Sequence, residues 1–177
     1  MKQRITLTVI AILTLTCARA QDQTNGTDNG KKTKKELRKE EQKKQFESNY
    51  QLLLTKAFVI EGNRVNGHEV YSNENFFEVK DDSAFLQVSP MKGMTLPDKF
   101  SGFIYAGKIM DYKLTRDEKR YSCTITLWFK NSQILRREVT VMVSMAGNAT
   151  VNSGEVRMEG IIKDIPSSNI VPRILLN

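Results

Sequence analysis

The stretch YSCTITLWFK, residues 121–130, alternates between apolar and polar side chains over ten positions. Successive side chains of a β-strand point to opposite faces, so the alternation predicts an antiparallel strand with one buried and one solvated face. Trp128 falls on the polar face, where a large aromatic side chain needs an explanation. The predicted buried face carries Tyr121, Cys123, Ile125, Leu127 and Phe129.

The same period of two recurs along the chain on both sides of this stretch. Residues 138–145 repeat it, with Val139, Val141, Val143 and Met145 on one face, and the turn-forming Asn131-Ser132-Gln133 predicts a hairpin between the two runs. Within residues 102–114 the alternation changes parity, which predicts a β-bulge near Gly107. The other strand candidates are residues 58–65, 75–80, 84–89, 102–114 and 155–162.

Seven strands in chain order, each separated from the next by a turn signal, predict an antiparallel meander. Such a meander closes into a barrel or folds into a sandwich, and we assign it to a mainly β domain at residues 57–177. Residues 166–177 begin polar and end in Ile174-Leu175-Leu176, which we expect to dock as a final edge segment.

One helix is predicted before the β domain, at residues 33–56. The quartet Thr33-Lys34-Lys35-Glu36 is a capping box, in which the threonine hydroxyl and the glutamate carboxylate satisfy two free main-chain amides. Its first half is charged on almost every face, so we expect that half to project into solvent. The second half carries an apolar stripe that we expect to dock on the β domain. The stripe consists of Phe46, Tyr50, Leu53 and Leu54.

The first twenty residues have the organisation of a cleaved secretory signal. Lys2 and Arg4 precede an apolar run of about twelve residues, too short to span a bilayer. The small-x-small pattern ending at Ala20 predicts cleavage there, with Gln21 as the mature N-terminus. The alternative is a lipoprotein acylated at Cys17, although Thr16 is a poor match to a lipobox. We therefore expect a periplasmic or secreted protein without a membrane span in its mature chain.

Removal of the signal weakens the basic character of the chain. Of 27 basic residues, three lie in the signal, so the mature chain has 24 basic and 20 acidic residues and a net charge of +4. Most of that charge belongs to the polar tether at residues 21–32 and the helix, so a nucleic-acid binder is not indicated. Cys123 would be the one cysteine left, which excludes an internal disulfide and favours a buried thiol. We expect a monomer.

Several segments in order resemble domain-of-unknown-function family 4251, a family of small exported proteins of Bacteroidetes. The similarity rests on FVIEGNR at residues 58–64, GKIMDYK at 107–113, GNA at 147–149 and RMEG at 157–160, and it extends over about residues 35–165. The resemblance implies an antiparallel, lipocalin-like barrel and an envelope location. It implies no activity and no functional residues.

The sequence shows little chemistry of its own. His68 is the only histidine and falls in a predicted loop, Cys123 faces the predicted core, and no cofactor-binding, metal-binding or catalytic motif is present. Asp82-Ser83-Ala84 resembles the acceptor for O-glycosylation of exported Bacteroidetes proteins, so Ser83 is a candidate modification site. Catalytic residues cannot be assigned.

Three functional hypotheses remain open. The first is a non-enzymatic module that binds a small apolar or glycan ligand inside the barrel or at its mouth, with a filled core and a ligand at the rim preferred. The second is an interaction or structural component of the envelope, in which Trp128, with Phe76 or Phe77, contacts a protein partner. The third is an envelope hydrolase.

Overall fold

The structure is a computed structural model that describes residues 33–89, 102–132 and 136–172. Within these ranges the chain forms one α-helix, nine β-strands and a single 3-10 turn, Ile165–Ser167. The helix α1 is Lys34–Leu54. The strands are β1 Ala57–Val65, β2 His68–Glu69, β3 Phe76–Lys80, β4 Ser83–Val88, β5 Phe103–Asp117, β6 Ser122–Lys130, β7 Arg137–Ser144, β8 Asn148–Ser153 and β9 Val156–Asp164.

Eight of these strands close into an antiparallel barrel. The pairing order runs β1-β3-β4-β5-β6-β7-β8-β9, and β9 pairs back with β1, so the barrel has no long free edge. The extra strand, β2, adds a two-residue extension to β1 through a turn at Asn66 and Gly67, whose φ angles are 49° and 84°. The prediction of a mainly β meander that closes into a barrel is confirmed, and the sandwich alternative is wrong.

Two strands were missing from the prediction. β2 has only two residues, and β8 has the sequence NATVNS, which is rich in turn-forming asparagine. Asparagine is typical of turns. Asn148 and Asn152 nevertheless both lie within β8 and point away from the interior. β8 forms because β7 and β9 supply hydrogen-bonding partners on both of its sides.

The long strand β5 contains the predicted bulge. The pairing of β5 with β6 shifts register between Ile109 and Asp111, which makes Met110 the extra residue. Ile109 before the bulge and Tyr112 after it therefore both pack on the interior, whereas Met110 is 55% exposed. The bulge lies three residues beyond Gly107, and it keeps Met110 off the inward face that Tyr112 occupies.

Side chains fill the interior of the barrel. Seven of the nine residues predicted on the buried faces of the two runs are each at most 1% exposed, and the other two, Tyr121 and Met145, are partly buried against them. A cavity large enough for water would leave accessible surface on its lining, so these side chains pack against one another. Gly62 lets Met158 enter this core, because a Cβ at Gly62 would overlap the Met158 thioether. The seven residues are Cys123, Ile125, Leu127, Phe129, Val139, Val141 and Val143.

Helix α1 docks at the end of the barrel that holds the β5–β6 and β7–β8 turns, which we call the helix end. The capping box at Thr33 and Glu36 is present. Phe46 and Leu53 join the interior cluster, but Leu54 is 50% exposed, so its place in the docking stripe was wrong. The sequence pattern also missed Asn49, which is buried and donates hydrogen bonds to the main-chain oxygens of the β7–β8 turn.

A short segment after β9 covers part of the outer surface of the barrel. The main-chain amide of Asn169 donates to the Glu61 carboxylate, and Lys163 forms an ion pair with the same group (Nζ–Oε2 2.8 Å). Val171 donates its amide to the carbonyl of Asn73. Val59 and Phe76, which also face outward, are fully buried, and the Phe76 ring stacks on that of Phe85 with 5.5 Å between the ring centroids. Ile174-Leu175-Leu176, predicted to dock, lies outside the described residues.

Candidate functional site

The second end of the barrel, which we call the far end, carries the most distinctive group of polar and aromatic side chains. It is bounded by the β6–β7 connection and the β8–β9 turn, opposite the helix. Arg136 immediately precedes β7 and Arg137 is its first residue, and each places its guanidinium on an aromatic ring. We name Trp128, Arg136, Arg137 and Tyr105 the arginine–aromatic rim.

The two arginines lie on opposite faces of the sheet. Arg136 packs over the outward-facing ring of Trp128, with 3.4 Å from its Cζ to the ring centroid. Arg137 shares the inward parity of Val139 and packs over Tyr105, with 4.0 Å from Cζ to the ring centroid. Phe103 extends this aromatic layer, because its ring centroid is 4.6 Å from that of Tyr105. The positive charge is thereby held at the rim by stacking on aromatic faces.

A surface cleft of about 410 Å³ opens beside both arginines. Glu138, Thr140, Asn152 and Gly154 complete its lining. Gly154 has a φ of +60°, and a Cβ there would lie 3.1 Å from Arg137 Nη1, so glycine keeps space for the guanidinium. Among the described residues, neither Arg136 nor Arg137 forms an ion pair with a carboxylate. The cleft therefore offers two guanidinium groups, a hydroxyl and an amide to a ligand.

The sequence had singled out Trp128 but not the arginines. Trp128 lies on the outer face as predicted, half-buried beneath Arg136. The signal for the arginines was available: in the predicted hairpin, an antiparallel register places the start of β7 beside the end of β6. Phe76 and Phe77 have no exposed surface, so the idea that they meet a partner together with Trp128 is wrong.

The other candidate residues lie elsewhere. His68 is exposed on β2, whereas Cys123 is buried at the helix end, so the structure does not bring this pair together. Burial raises the pKa of the Cys123 thiol. Ser83 is exposed at the start of β4, beside a groove that also contains Phe85 and Ala106. Ala20, Gln21 and Cys17 lie outside the described residues. No three His, Cys, Asp or Glu side chains within the described ranges could together hold a metal ion.

Comparison with known proteins identifies the family. Residues 34–157 match the family described as Domain of unknown function (DUF4251). The chain belongs to the DUF4251 family. A crystal structure of a DUF4251 family protein from Bacteroides eggerthii is similar in fold, with a TM-score of 0.58 and 21% sequence identity. The similarity covers 71% of this chain and 91% of that one. No curated protein matches the sequence.

Membership in DUF4251 confirms the family resemblance seen in the sequence. The family has no assigned function, and the crystal structure supports the fold only. Along the described part of this DUF4251 chain, no helix combines the length and the apolar character needed to cross a membrane. The function must therefore be inferred from the residues of the site themselves.

Proposed function

We propose that this DUF4251 protein is an exported, monomeric, non-enzymatic binding module that binds a glycan at the arginine–aromatic rim. The observation that carries the proposal is a cleft lined by Arg136 and Arg137, which form no ion pair with the described residues and are each stacked on an aromatic ring of the rim. Aromatic rings pack against the apolar faces of sugars, and arginine, threonine and asparagine side chains exchange hydrogen bonds with sugar hydroxyls. Such a combination of flat apolar surface and convergent polar groups suits a polyhydroxylated ligand.

The packed interior favours this site over a cavity inside the barrel. The inner faces of β6 and β7 have at most 1% exposure, which leaves no space beside them for an apolar ligand. An eight-stranded barrel either fills its interior with side chains or holds one small ligand, and here the large residues Phe58, Phe77 and Phe129 are fully buried. The glycan alternative is therefore preferred over the small apolar ligand.

A hydrolytic role at this cleft has less support. Hydrolysis of a glycosidic bond generally needs two carboxyl groups on either side of the bond. Among the described residues that line the cleft, Glu138 is the one carboxylate. A protein partner remains the second candidate, because tryptophan and arginine often dominate the affinity of protein interfaces.

The tryptophan provides a native reporter for the test, because Trp128 is the only one in the chain. Protein purified from its own host would be run in native gels that contain individual neutral or acidic polysaccharides. We expect at least one polysaccharide to retard it and to change the Trp128 emission, and Trp128→Ala to weaken that binding about tenfold. Met110→Ala, on the exposed outer face of β5, is the matched control.

Two results would count against the proposal. If no polysaccharide retards the protein, or if Trp128→Ala binds as tightly as the unchanged protein, the glycan site is wrong. Capture of one stoichiometric protein partner, lost in Trp128→Ala but kept in Met110→Ala, would favour the interaction hypothesis.

Export is tested separately: sequencing the N-terminus should yield Gln21, whereas a start at Met1 or an acylated Cys17 would contradict cleavage after Ala20.

A further inference from the structure

We propose, on the basis of the glycan-binding function above, that the ligand is an acidic polysaccharide lying along an extended channel on the outer face of β7, β8 and β9. A second surface depression of about 360 Å³ lies on this face. Asn152 lines both this depression and the cleft beside Arg136 and Arg137. The two therefore meet at Asn152 and form one channel, which begins at the arginine–aromatic rim.

The strand register shows how the channel is built. Asn152 lies beside Thr140 and Thr150 beside Met142 on the neighbouring strand. These outward residues of β8 are short, so a trough remains along the strand, with the Arg157 side chain on its other side. The six residues of β8 span about 20 Å, which suits a linear chain better than a compact molecule.

The chemistry of the channel fits a polyhydroxylated chain. Its described lining combines hydroxyl and amide groups with the methyl groups of threonine and methionine, so it offers both hydrogen bonds and apolar contact. Besides Asn152 and Arg157, the depression is lined by Ser122, Met142, Ser144, Asn148 and Thr150.

The charge is concentrated at one end of the channel. Arg157 is paired with Glu159, with Nη2–Oε1 at 3.0 Å, so its charge is already compensated. Arg136 and Arg137 have no carboxylate partner among the described residues, and they outnumber the single carboxylate of the cleft, Glu138. Guanidinium groups bind carboxylate and sulfate oxygens in paired hydrogen bonds, which indicates that the bound polymer carries one of these acid groups at the rim.

An acidic peptide fits this surface less well. Extended peptides commonly add to an exposed sheet edge, but the barrel closes on itself and β2 contributes only two residues. Within the described part of the channel, Met142 is the one large apolar side chain that could anchor a peptide residue. The hydroxyl and amide lining therefore favours the polysaccharide.

The test compares four polymers with the full-length protein purified from its host: polygalacturonate, chondroitin sulfate, neutral galactan and poly-glutamate. We expect at least one acidic polysaccharide to bind at least tenfold more tightly than galactan. Arg136→Gln should reduce that affinity about tenfold and reduce the weaker binding of galactan by a smaller factor, because galactan carries no acid group for the guanidinium to bind. Arg120→Gln removes an exposed arginine at the helix end and serves as the matched control.

A second pair of measurements tests the channel itself. Asn152→Ala should weaken binding of the long acidic polymer more than binding of its trisaccharide, because a short ligand can occupy the rim alone. Arg136 and Asn152 are surface residues that do not belong to the interior cluster, so neither substitution should unfold the barrel. Circular dichroism of each variant would verify this.

The outcomes distinguish failure of the acidic-ligand proposal from failure of the glycan-binding function. Equal binding of galactan and the acidic polysaccharides would retain the glycan-binding function but overturn the acidic ligand. If poly-glutamate binds as tightly as an acidic polysaccharide, and if its binding also depends on Arg136, the site binds anions in general and the choice of a polysaccharide is wrong. If Asn152→Ala affects the polymer and the trisaccharide equally, the extended channel is wrong. If none of the polysaccharides binds, both proposals fail.

Discussion

The phenol of Tyr112 donates a hydrogen bond of 2.7 Å to the main-chain carbonyl of Leu53, which joins β5 to the last turn of helix α1. The carbonyl groups at the end of a helix lack partners within the helix, so this bond satisfies one of them from the barrel. Tyr112 also packs against the interior cluster, to which Leu53 belongs. The hydrogen bond thus attaches the helix to β5, the strand that contains the bulge.

Tyr112→Phe should reduce the free energy of unfolding by about 1 kcal/mol, because it removes this bond and little volume. Burial raises the pKa of the Tyr112 phenol, with a smaller contribution from Cys123, so the folded state favours the neutral form. The contribution of Tyr112 is complete below pH 10 and is lost as the pH rises further. Denaturant unfolding from pH 7 to 11 should show the difference from wild type narrowing only in the alkaline range. Tyr50→Phe is the control, since its hydroxyl makes no hydrogen bond to the described residues.

The second prediction concerns Glu47, which links the helix to β5. Gln51 and Arg116 each donate a hydrogen bond of 2.8 Å to its carboxylate, and these bonds lower the pKa of Glu47. A carboxylate whose pKa is lowered by folding stabilises the folded state at pH values above its ordinary pKa of 4.5. This stabilisation is lost as the pH falls through the lower pKa that the group has in the folded protein. Glu47→Gln should therefore unfold at lower denaturant concentration than wild type at pH 7, with the difference disappearing below pH 4.5.

The control for this experiment is Glu41→Gln, on the same helix. Among the described residues Glu41 forms no ion pair, so its replacement should change the unfolding midpoint little at any pH. A Glu47→Gln difference that grows as the pH falls would contradict the assignment. The effect should also shrink in high salt, because the Glu47–Arg116 pair is partly exposed.

The third prediction tests the filled interior through Cys123. In a Cys17→Ser variant this is the only thiol, and it is 1% exposed beneath the helix. We expect a small apolar maleimide to label the folded protein at least about 100-fold more slowly than the denatured protein, since reaction requires local opening of the barrel. Fast labelling by an apolar maleimide but not by a charged one would show an open apolar cavity and contradict the packed core.

The fourth prediction concerns the contact between Gly62 on β1 and Met158 on β9. Gly62→Ala should destabilise the barrel, because the new Cβ would overlap the Met158 side chain. Met158→Ala should cost about 2–5 kcal/mol through the cavity that it leaves. The double variant should lose less stability than the sum of the losses of the two single variants, because the alanine at position 62 then enters space that the Met158 side chain has vacated. Combining Gly62→Ala with Val143→Ala, on β7, should give additive losses.

The arginine–aromatic rim shows where prediction from the sequence ends. Tyr105 and Arg137 lie on β5 and β7, separated by the whole of β6 in the chain, and nothing in the local pattern of either strand pairs them. Their contact depends on barrel curvature and on the register of three strands. Trp128 was found because a large aromatic residue on a polar strand face is visible as a break in the alternation, whereas an arginine at a strand end follows the usual pattern.

The sequence by itself determined the class of the fold, the helix and its capping box, the buried face of β6 and β7, and the presence of a bulge in β5. These features depend on the period of apolar residues and on neighbouring side chains, which are local properties of the chain. Tertiary structure alone decided that Asn148 and Asn152 lie in a strand, that Asn49 is buried, and that Arg136 and Arg137 face one cleft. Each of these depends on partners distant in the sequence, and a local pattern carries no information about which distant groups will satisfy a hydrogen bond or share a surface.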